Sequence, residues 1–207
     1  MKLFFQYCSF NFSNCYVLAQ DQKEAGQETD AIIVDPGSMD NALLETIENN
    51  NFFLRAVLIT HDHIGHIRGL RTLRRIYDAD IYAINQVVLD HKTNIIKDDD
   101  KFSVAGFEIK TISIPGHSAD SVVYQIDSIL FTGDVLTAGQ VGTTASAYGA
   151  KTQMNKLRSR LLSLPGDYIV LPGHGPPTTL EAERRFNTSI LNFDRERNKR
   201  PVFVVDI

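Results

Sequence analysis

Apolar residues along this chain fall into short runs parted by polar corners, and their period differs between the two halves. Residues 3–5 and 15–19 predict two strands joined by a polar turn, and 31–34 predict a third, ended by Asp35-Pro36-Gly37. Proline and glycine turn the chain there, and Ser38 or Asp40 is placed to cap a helix carrying Leu43, Leu44 and Ile47 inward. The apolar run Ala56-Val57-Leu58-Ile59 reads as a buried strand, and Ile67, Leu70, Leu73 and Ile76 mark one face of a helix. Residues 80–84 read as another buried strand. Strand, helix, strand in that order predicts parallel pairing. From Phe107 the pattern turns to strands in close succession, at 107–114, 121–126 and 129–131. An amphipathic helix follows through Met154, Leu157, Leu161 and Leu162, then a strand at 168–171. Thr178 or Thr179 caps a last helix over about 180–190, with Glu181 and Glu183 in its first turn. Residues 21–29 suggest an exposed hairpin tip, and 195–200 a basic exposed run before a β-prone end. No composition shift or repeat divides the chain, so one domain over 1–207 is expected.

The corners between these elements hold the chemistry. Thr60-His61-Asp62-His63-Ile64-Gly65-His66 puts three histidines on the loop where a strand passes into a helix. That is the carboxyl end of the strand, where open α/β sheets keep their functional groups. A single histidine there would read as a solvated loop residue. Three together repel when protonated, and when neutral they offer converging nitrogens to a metal. Later corners repeat the device in Pro115-Gly116-His117-Ser118, Thr132-Gly133-Asp134 and Pro172-Gly173-His174-Gly175-Pro176. Glycine permits the sharp turn that projects the next side chain into a cleft. Asp35, at a strand end, is placed either to make its turn or to support the histidines from behind. His91 and the acidic loop at 97–101 read as surface.

Charge and composition narrow the class. A net charge of -4 over 207 residues gives no basic footprint, so neither nucleic acid nor a membrane surface is an expected partner. The apolar start of the chain is broken by Gln6, Ser9, Asn11 and Asn14 before a secretory core forms, and no run approaches a membrane span. Cys8 and Cys15 are too few for a disulfide framework, and a reduced, cytoplasmic protein is expected.

Taken in order, His-x-His-x-x-His, Gly-His, Gly-Asp and Gly-His resemble the metallo-β-lactamase superfamily over nearly the whole chain, from Asp35-Pro36-Gly37 to the helix after His174. Pro115-Gly116-His117-Ser118, Phe131-Thr132-Gly133-Asp134-Val135-Leu136 and Leu171-Pro172-Gly173-His174-Gly175-Pro176 make it most similar to the glyoxalase II group, the hydroxyacylglutathione hydrolases. The resemblance implies an α/β fold, a four-layer αββα sandwich with a binuclear metal site at one edge. The chain lacks room for the helical glutathione-binding domain of longer members. Carried over by motif, His61, His63 and His117 hold a first metal, His66 and His174 a second, and Asp134 bridges them as the catalytic carboxylate. One or two Zn²⁺ ions are implied, with iron or manganese as alternatives. Three neutral imidazoles bring a zinc-bound water to a pKa of about 7. The resulting hydroxide attacks a small ester or thioester, of glutathione or another thiol, while the metal stabilises the oxyanion.

Two departures from the family pattern stand out. The motif is His-x-His-x-Asp-His, and here glycine, Gly65, replaces the aspartate that ligates the second metal and orients the water. The second site then falls to His66, His174 and Asp134. Asp62 is a candidate displaced substitute for the catalytic carboxylate, although its place between two inward-pointing histidines turns it elsewhere. After Asp134, Val141-Gly142-Thr143-Thr144-Ala145 lacks the charged residues of glyoxalase-like relatives, leaving Tyr148 and Lys151 to meet an anionic substrate. These departures keep two other readings open: a mononuclear iron persulfide dioxygenase using His61, His117 and Asp134, and a metal-binding member with reduced catalysis. Restoring the carboxylate with Gly65→Asp is expected to raise second-site occupancy and hydrolytic rate.

Overall fold

The computed structural model describes residues 1–22 and 26–198, and for 194–198 the backbone alone. The expected hairpin tip at 21–29 therefore lies partly outside the described residues, and the basic run and β-prone end at 195–207 lie outside them beyond the last turn of a helix. In chain order the elements are β1 (Lys2–Cys8), β2 (Ser13–Ala19), β3 (Thr29–Val34), α1 (Asn41–Asn49), β4 (Phe52–Leu58), α2 (Ile64–Ile67), α3 (Leu70–Ile76) and β5 (Asp80–Ala83). Short strands β6 (Val87–Val88), β7 (His91–Lys92) and β8 (Asn94–Ile95) follow. Then come β9 (Lys101–Val104), β10 (Phe107–Ser113), β11 (Val122–Ile126) and β12 (Ile129–Gly133). Last are α4 (Ala147–Lys156) with a π-helical continuation (Leu157–Leu162), β13 (Ile169–Pro172), β14 (Thr178–Thr179), α5 (Leu180–Phe186) and α6 (Thr188–Asn198).

These strands make two six-stranded sheets, ordered β1-β2-β3-β4-β5-β8 and β14-β13-β12-β11-β10-β9. The β3-β4-β5 pairing is parallel, as the strand-helix-strand order requires, and β12 runs parallel to β13. Tyr16, Leu18, Ile32, Val34 and Leu58 of the first sheet meet Tyr124, Phe131 and Leu171 of the second in a buried layer between them. On the outer side of the first sheet Val17, Ile33 and Val57 pack against Leu43 and Ile47 of α1 and Leu70 and Leu73 of α3. Behind the second sheet, Ile112, Val123 and Leu130 pack against Met154, Leu157, Leu161, Leu180 and Ile190. The fold is thus the four-layer αββα sandwich. Strands covered on both faces explain why 15–19 and 56–59 read as unbroken apolar runs rather than alternating ones.

Asp40 caps α1, accepting from the Leu43 N–H at 3.0 Å, and Thr179 caps α5, accepting from Ala182 N–H at 3.1 Å. Two helices expected as single elements are divided. At Gly69 the chain touches the Asp35-Pro36-Gly37 turn, its N–H donating to Pro36 O at 2.8 Å, and a Cβ there would lie 2.5 Å from that oxygen. The helix after the histidines breaks there into α2 and α3, and Ile76 ends up exposed. At Asn187 the backbone leaves the helical region, and the side chain instead accepts from Ile190 N–H at 3.1 Å and starts α6. Cys8 and Cys15 are buried free thiols on adjacent strands, Cys8 opposite Ser13 and Cys15 opposite Gln6. Among the described residues no helix is long and apolar enough to cross a membrane.

The consequence for function is positional. The loops after β3, β4, β10, β12 and β13 bear Asp35, His61, His117, Asp134 and His174, each past the carboxyl end of its strand.

Candidate metal centre

The five loops bring three overlapping sets of donor atoms together: His61, His63 and His117; His66, Asp134 and His174; and Asp35, His61 and His66. Within each set the donor atoms lie inside 4.8 Å of one another. His61 and His66 are buried at the floor, and His63 is exposed at the mouth. Asp134 lies between the first two sets. Its Oδ2 is 3.9 Å from His61 Nε2 and 3.6 Å from His117 Nε2, while its Oδ1 is 3.6 Å from His66 Nε2 and 2.8 Å from His174 Nδ1. His63 Nδ1 is 3.0 Å from His117 Nε2. Nitrogens held at about 2.0–2.1 Å by a tetrahedral cation stand roughly 3.3 Å apart, so these separations are those of a ligand set.

Hydrogen bonds on the far side of each ring settle which nitrogen faces inward. The Thr60 hydroxyl gives its one proton to Asp35 Oδ2 at 2.6 Å, so it accepts from His61 Nδ1–H at 3.1 Å. His66 Nδ1–H donates to Asp35 Oδ2 at 3.0 Å, and His117 Nδ1–H donates to Thr143 O at 2.8 Å. When neutral, these three rings each keep an Nε2 lone pair pointing into the site. His61 Nε2 and His66 Nε2 are buried and have no hydrogen-bond partner among the described residues. A buried nitrogen lone pair without a partner is costly, and a cation is the partner that would satisfy both. The donor set of imidazoles and one carboxylate therefore fits a divalent transition metal.

His174 differs. Its Nε2–H donates to Asn11 O at 3.1 Å, which turns Nδ1 toward Asp134 Oδ1. A lone pair against a carboxylate needs positive charge between them, supplied by a proton or a metal. The acid–base balance follows: the Asp134 hydrogen bond raises the His174 pKa above its usual value. Burial would lower His66, but the Asp134 carboxylate 3.6 Å from its Nε2 and the Asp35 carboxylate bonded to its Nδ1–H outweigh it and raise it to about 10. Burial, with the neighbouring His66 charge second, drives His61 down to about 2. Burial would also raise Asp134, yet His174 and His66 hold its carboxyl well below the usual range.

Asp62 is outside this arrangement. Its side chain accepts from Asn85 Nδ2 at 2.9 Å, its N–H donates to Asp120 Oδ2 at 3.0 Å, and it belongs to none of the three donor sets. Asp62 thus faces away from the donor sets, as its place between two inward-pointing histidines implies. For Gly65→Asp the neighbour that must move is Asn11: a Cβ on Gly65 would lie 2.3 Å from its Nδ2, the far end of an exposed side chain. Any side chain at 65 must first displace Asn11. The hydrogen-bond partners of the rings supplied by Asn11, Thr60 and Thr143 are not marked by any sequence motif. Thr60 adjoins the histidine motif and was within reach of inspection, whereas Asn11 carries no local signal at all.

The family model of the metallo-beta-lactamase superfamily matches residues 9–95 and 86–174. Uncharacterized protein Rv2581c of Mycobacterium tuberculosis is 32% identical, over 88% of this chain and 94% of its own length. Hydroxyacylglutathione hydrolase GloC of Haemophilus influenzae is 26% identical, over 84% of this chain and 91% of its own. Among solved structures, ETHE1 from Myxococcus xanthus superposes with a TM-score of 0.80 at 24% identity, covering 93% of this chain and 85% of that one. TTHA1623 in a di-iron-bound form superposes with a TM-score of 0.73 at 26% identity, covering 89% and 98%.

Proposed function

The chain belongs to the metallo-beta-lactamase superfamily, and from that premise we propose that it is a metal-dependent hydrolase of a small ester or thioester, with zinc its metal. His61, His63 and His117 would hold a first ion and His66 and His174 a second, with the Asp134 carboxylate facing both sets. The observation that carries this reading is the pair of buried, unpartnered nitrogens, His61 Nε2 and His66 Nε2, both aimed at Asp134. A zinc ion held by these residues would supply a Lewis acid and, at a pKa of about 7, a water that ionises at neutral pH.

The chain's own residues do the rest. Thr60, Asp35 and the Thr143 carbonyl fix three imidazoles in the tautomer that leaves Nε2 open, so no ring has to reorganise during turnover. The exposed His63 and the part-exposed His174 mark the side from which a substrate arrives. Beside them, α4 packs on the Gly116-His117 corner through Gly149 and Gln153 and presents Tyr148 and Lys151 outward. Lys151 supplies a cationic contact for the acidic part of a substrate, as in a glutathione thioester. Similarity to the Haemophilus hydroxyacylglutathione hydrolase supports that substrate class.

The lost donor at Gly65 favours a second reading, a mononuclear iron site of His61, His117 and Asp134 acting on a persulfide. Elemental analysis of protein purified without added metal, paired with thioester and oxygen-consumption assays, separates the two. Two zinc ions and thioester turnover are expected. One iron with oxygen uptake on glutathione persulfide replaces the hydrolase by the oxygenase, and bound metal with neither activity leaves a binding protein.

A further inference from the structure

Position 65 is where the ligand motif loses a donor, and the Asn11 side chain lies against the space its Cβ would take. An ideal Cβ on Gly65 would lie 2.3 Å from Asn11 Nδ2, 3.1 Å from Asn11 Cγ and 3.2 Å from Asn11 Cβ. The whole Asn11 side chain thus lies over Gly65, beside the second donor set. Its backbone carbonyl meanwhile accepts from His174 Nε2–H at 3.1 Å. One residue therefore meets the loops of the second set at two points, its side chain lying over Gly65 and its carbonyl standing behind His174.

The β1–β2 turn is built to hold it there. Asn11 and Phe12 both have positive φ, 60° and 55°. Two successive non-glycine residues in the left-handed region are strained, and such strain persists where surrounding contacts enforce it. Those contacts are present. Ser13 Oγ donates to Gly65 O at 2.6 Å, Asn14 N–H to Gly173 O at 2.7 Å, and Asn14 Nδ2 to Pro172 O at 2.9 Å. The turn is pinned to the loop of His66 on one side and to the loop of His174 on the other.

We propose that Asn11 takes the place of the missing carboxylate: its amide oxygen is the fourth donor to the second metal, beside His66, Asp134 and His174. Amide oxygen and nitrogen exchange places by a half-turn of the side chain, so either can face the metal. An amide oxygen ligates divalent cations but brings no charge. The second site should accordingly bind more weakly than one with aspartate, yet more strongly than one with three donors. The proposal rests on the metal reading above, and its test keeps the two apart.

Four variants are titrated with zinc and, as a spectroscopic probe, with Co²⁺: Asn11→Gly, Asn11→Asp, Gly65→Asp and the Asn11→Gly/Gly65→Asp double. Glycine at 11 tolerates positive φ and keeps the carbonyl behind His174, so it removes the amide alone. Expected for the wild-type chain are two zinc ions. Expected for Asn11→Gly is a second-site dissociation constant weaker by about 10–100-fold, with loss of the second Co²⁺ band and an unaltered first site. Asn11→Asp should rescue it. The double variant should bind the second ion more tightly than Gly65→Asp alone, because the single leaves two side chains competing for one space. If Asn11→Gly binds both ions as the wild type does, or if Gly65→Asp equals the double, Asn11 is no ligand and the proposal fails while the metal reading stands. A wild-type chain holding one zinc defeats the proposal together with the second site and leaves only the first-site reading, and one holding none defeats the metal reading as well.

Discussion

Replacing Asp35 with asparagine tests whether the histidines are oriented from behind. Asp35 is 2% exposed and accepts three hydrogen bonds: Thr60 N–H on Oδ1 at 2.8 Å, and on Oδ2 the Thr60 hydroxyl at 2.6 Å and His66 Nδ1–H at 3.0 Å. Its φ of 51° is tolerated by asparagine, so Asp35→Asn changes donors and acceptors without adding backbone strain. With the amide oxygen on Thr60 N–H, the NH₂ group faces two donors. The hydroxyl can rotate to accept, but then its own proton has lost its acceptor. His66 can adapt only by moving its proton to Nε2, the nitrogen that faces Asp134. Hydrogen bonds to charged groups contribute about 1.5–3 kcal/mol each, so partial loss of two should cost about 2–4 kcal/mol of stability. The inverted tautomer should weaken the second metal by about 10–100-fold, or ~1.4–2.8 kcal/mol. Urea denaturation of the metal-free chain measures the first quantity and zinc titration the second. Asp35→Ala, which adds left-handed strain of about 1–2 kcal/mol, should be worse still. Stability within about 0.5 kcal/mol of wild type together with unaltered zinc affinity would refute the orientation argument.

Further expectations concern protons, packing and substrate charge. Because His66 is raised to about 10, it carries a proton at neutral pH that zinc must expel. Adding zinc in weak buffer near pH 8 should release protons to an indicator dye, and apparent affinity should climb toward pH 10; silence from the dye contradicts this. By the same shift, the stabilisation His66 gives the metal-free chain is full below its usual 6.5 and lost as pH rises through about 10, which thermal melts across that window should register. A Cβ at Gly173 would lie 2.5 Å from Asp134 Oδ1 and 2.5 Å from His66 Cε1, so Gly173→Ala should lose the second metal at a folding cost of about 1–3 kcal/mol. Lys151→Ala should raise KM for an anionic thioester by about 2–5-fold with kcat unaltered, as suits one exposed charge contact; an equal rise for a neutral ester would remove Lys151 from substrate recognition.

Local pattern carried the fold further than it carried the site's edges. The inter-sheet strands were legible because burial on both faces writes apolar runs such as Tyr16-Val17-Leu18 and Val57-Leu58-Ile59, and the ligand corners because glycine precedes His117, Asp134 and His174. Asp35 was legible only as one of two roles, turn-maker or support, from its place at a strand end; the parallel pairing of its strand with the one that delivers His61 brings it behind the histidines. Helix breaks at Gly69 and Asn187 were not, since each is imposed by a contact from elsewhere: Pro36 O at the first, Gln140 O and Glu183 at the second. The two-residue strands β6, β7 and β8 carry too few residues to show a period. Asn11 escaped for a stronger reason. Its meaning exists only once β1 and β2 have paired and the turn between them has folded over Gly65.

The most direct test is diffraction from zinc-loaded crystals collected at the zinc absorption edge. Two anomalous peaks are expected, one among His61, His63 and His117 and one among His66, His174 and Asn11, with Asp134 against both. Crystals saturated with zinc that show no peak within bonding reach of His61 Nε2 or His66 Nε2 would contradict the metal centre itself.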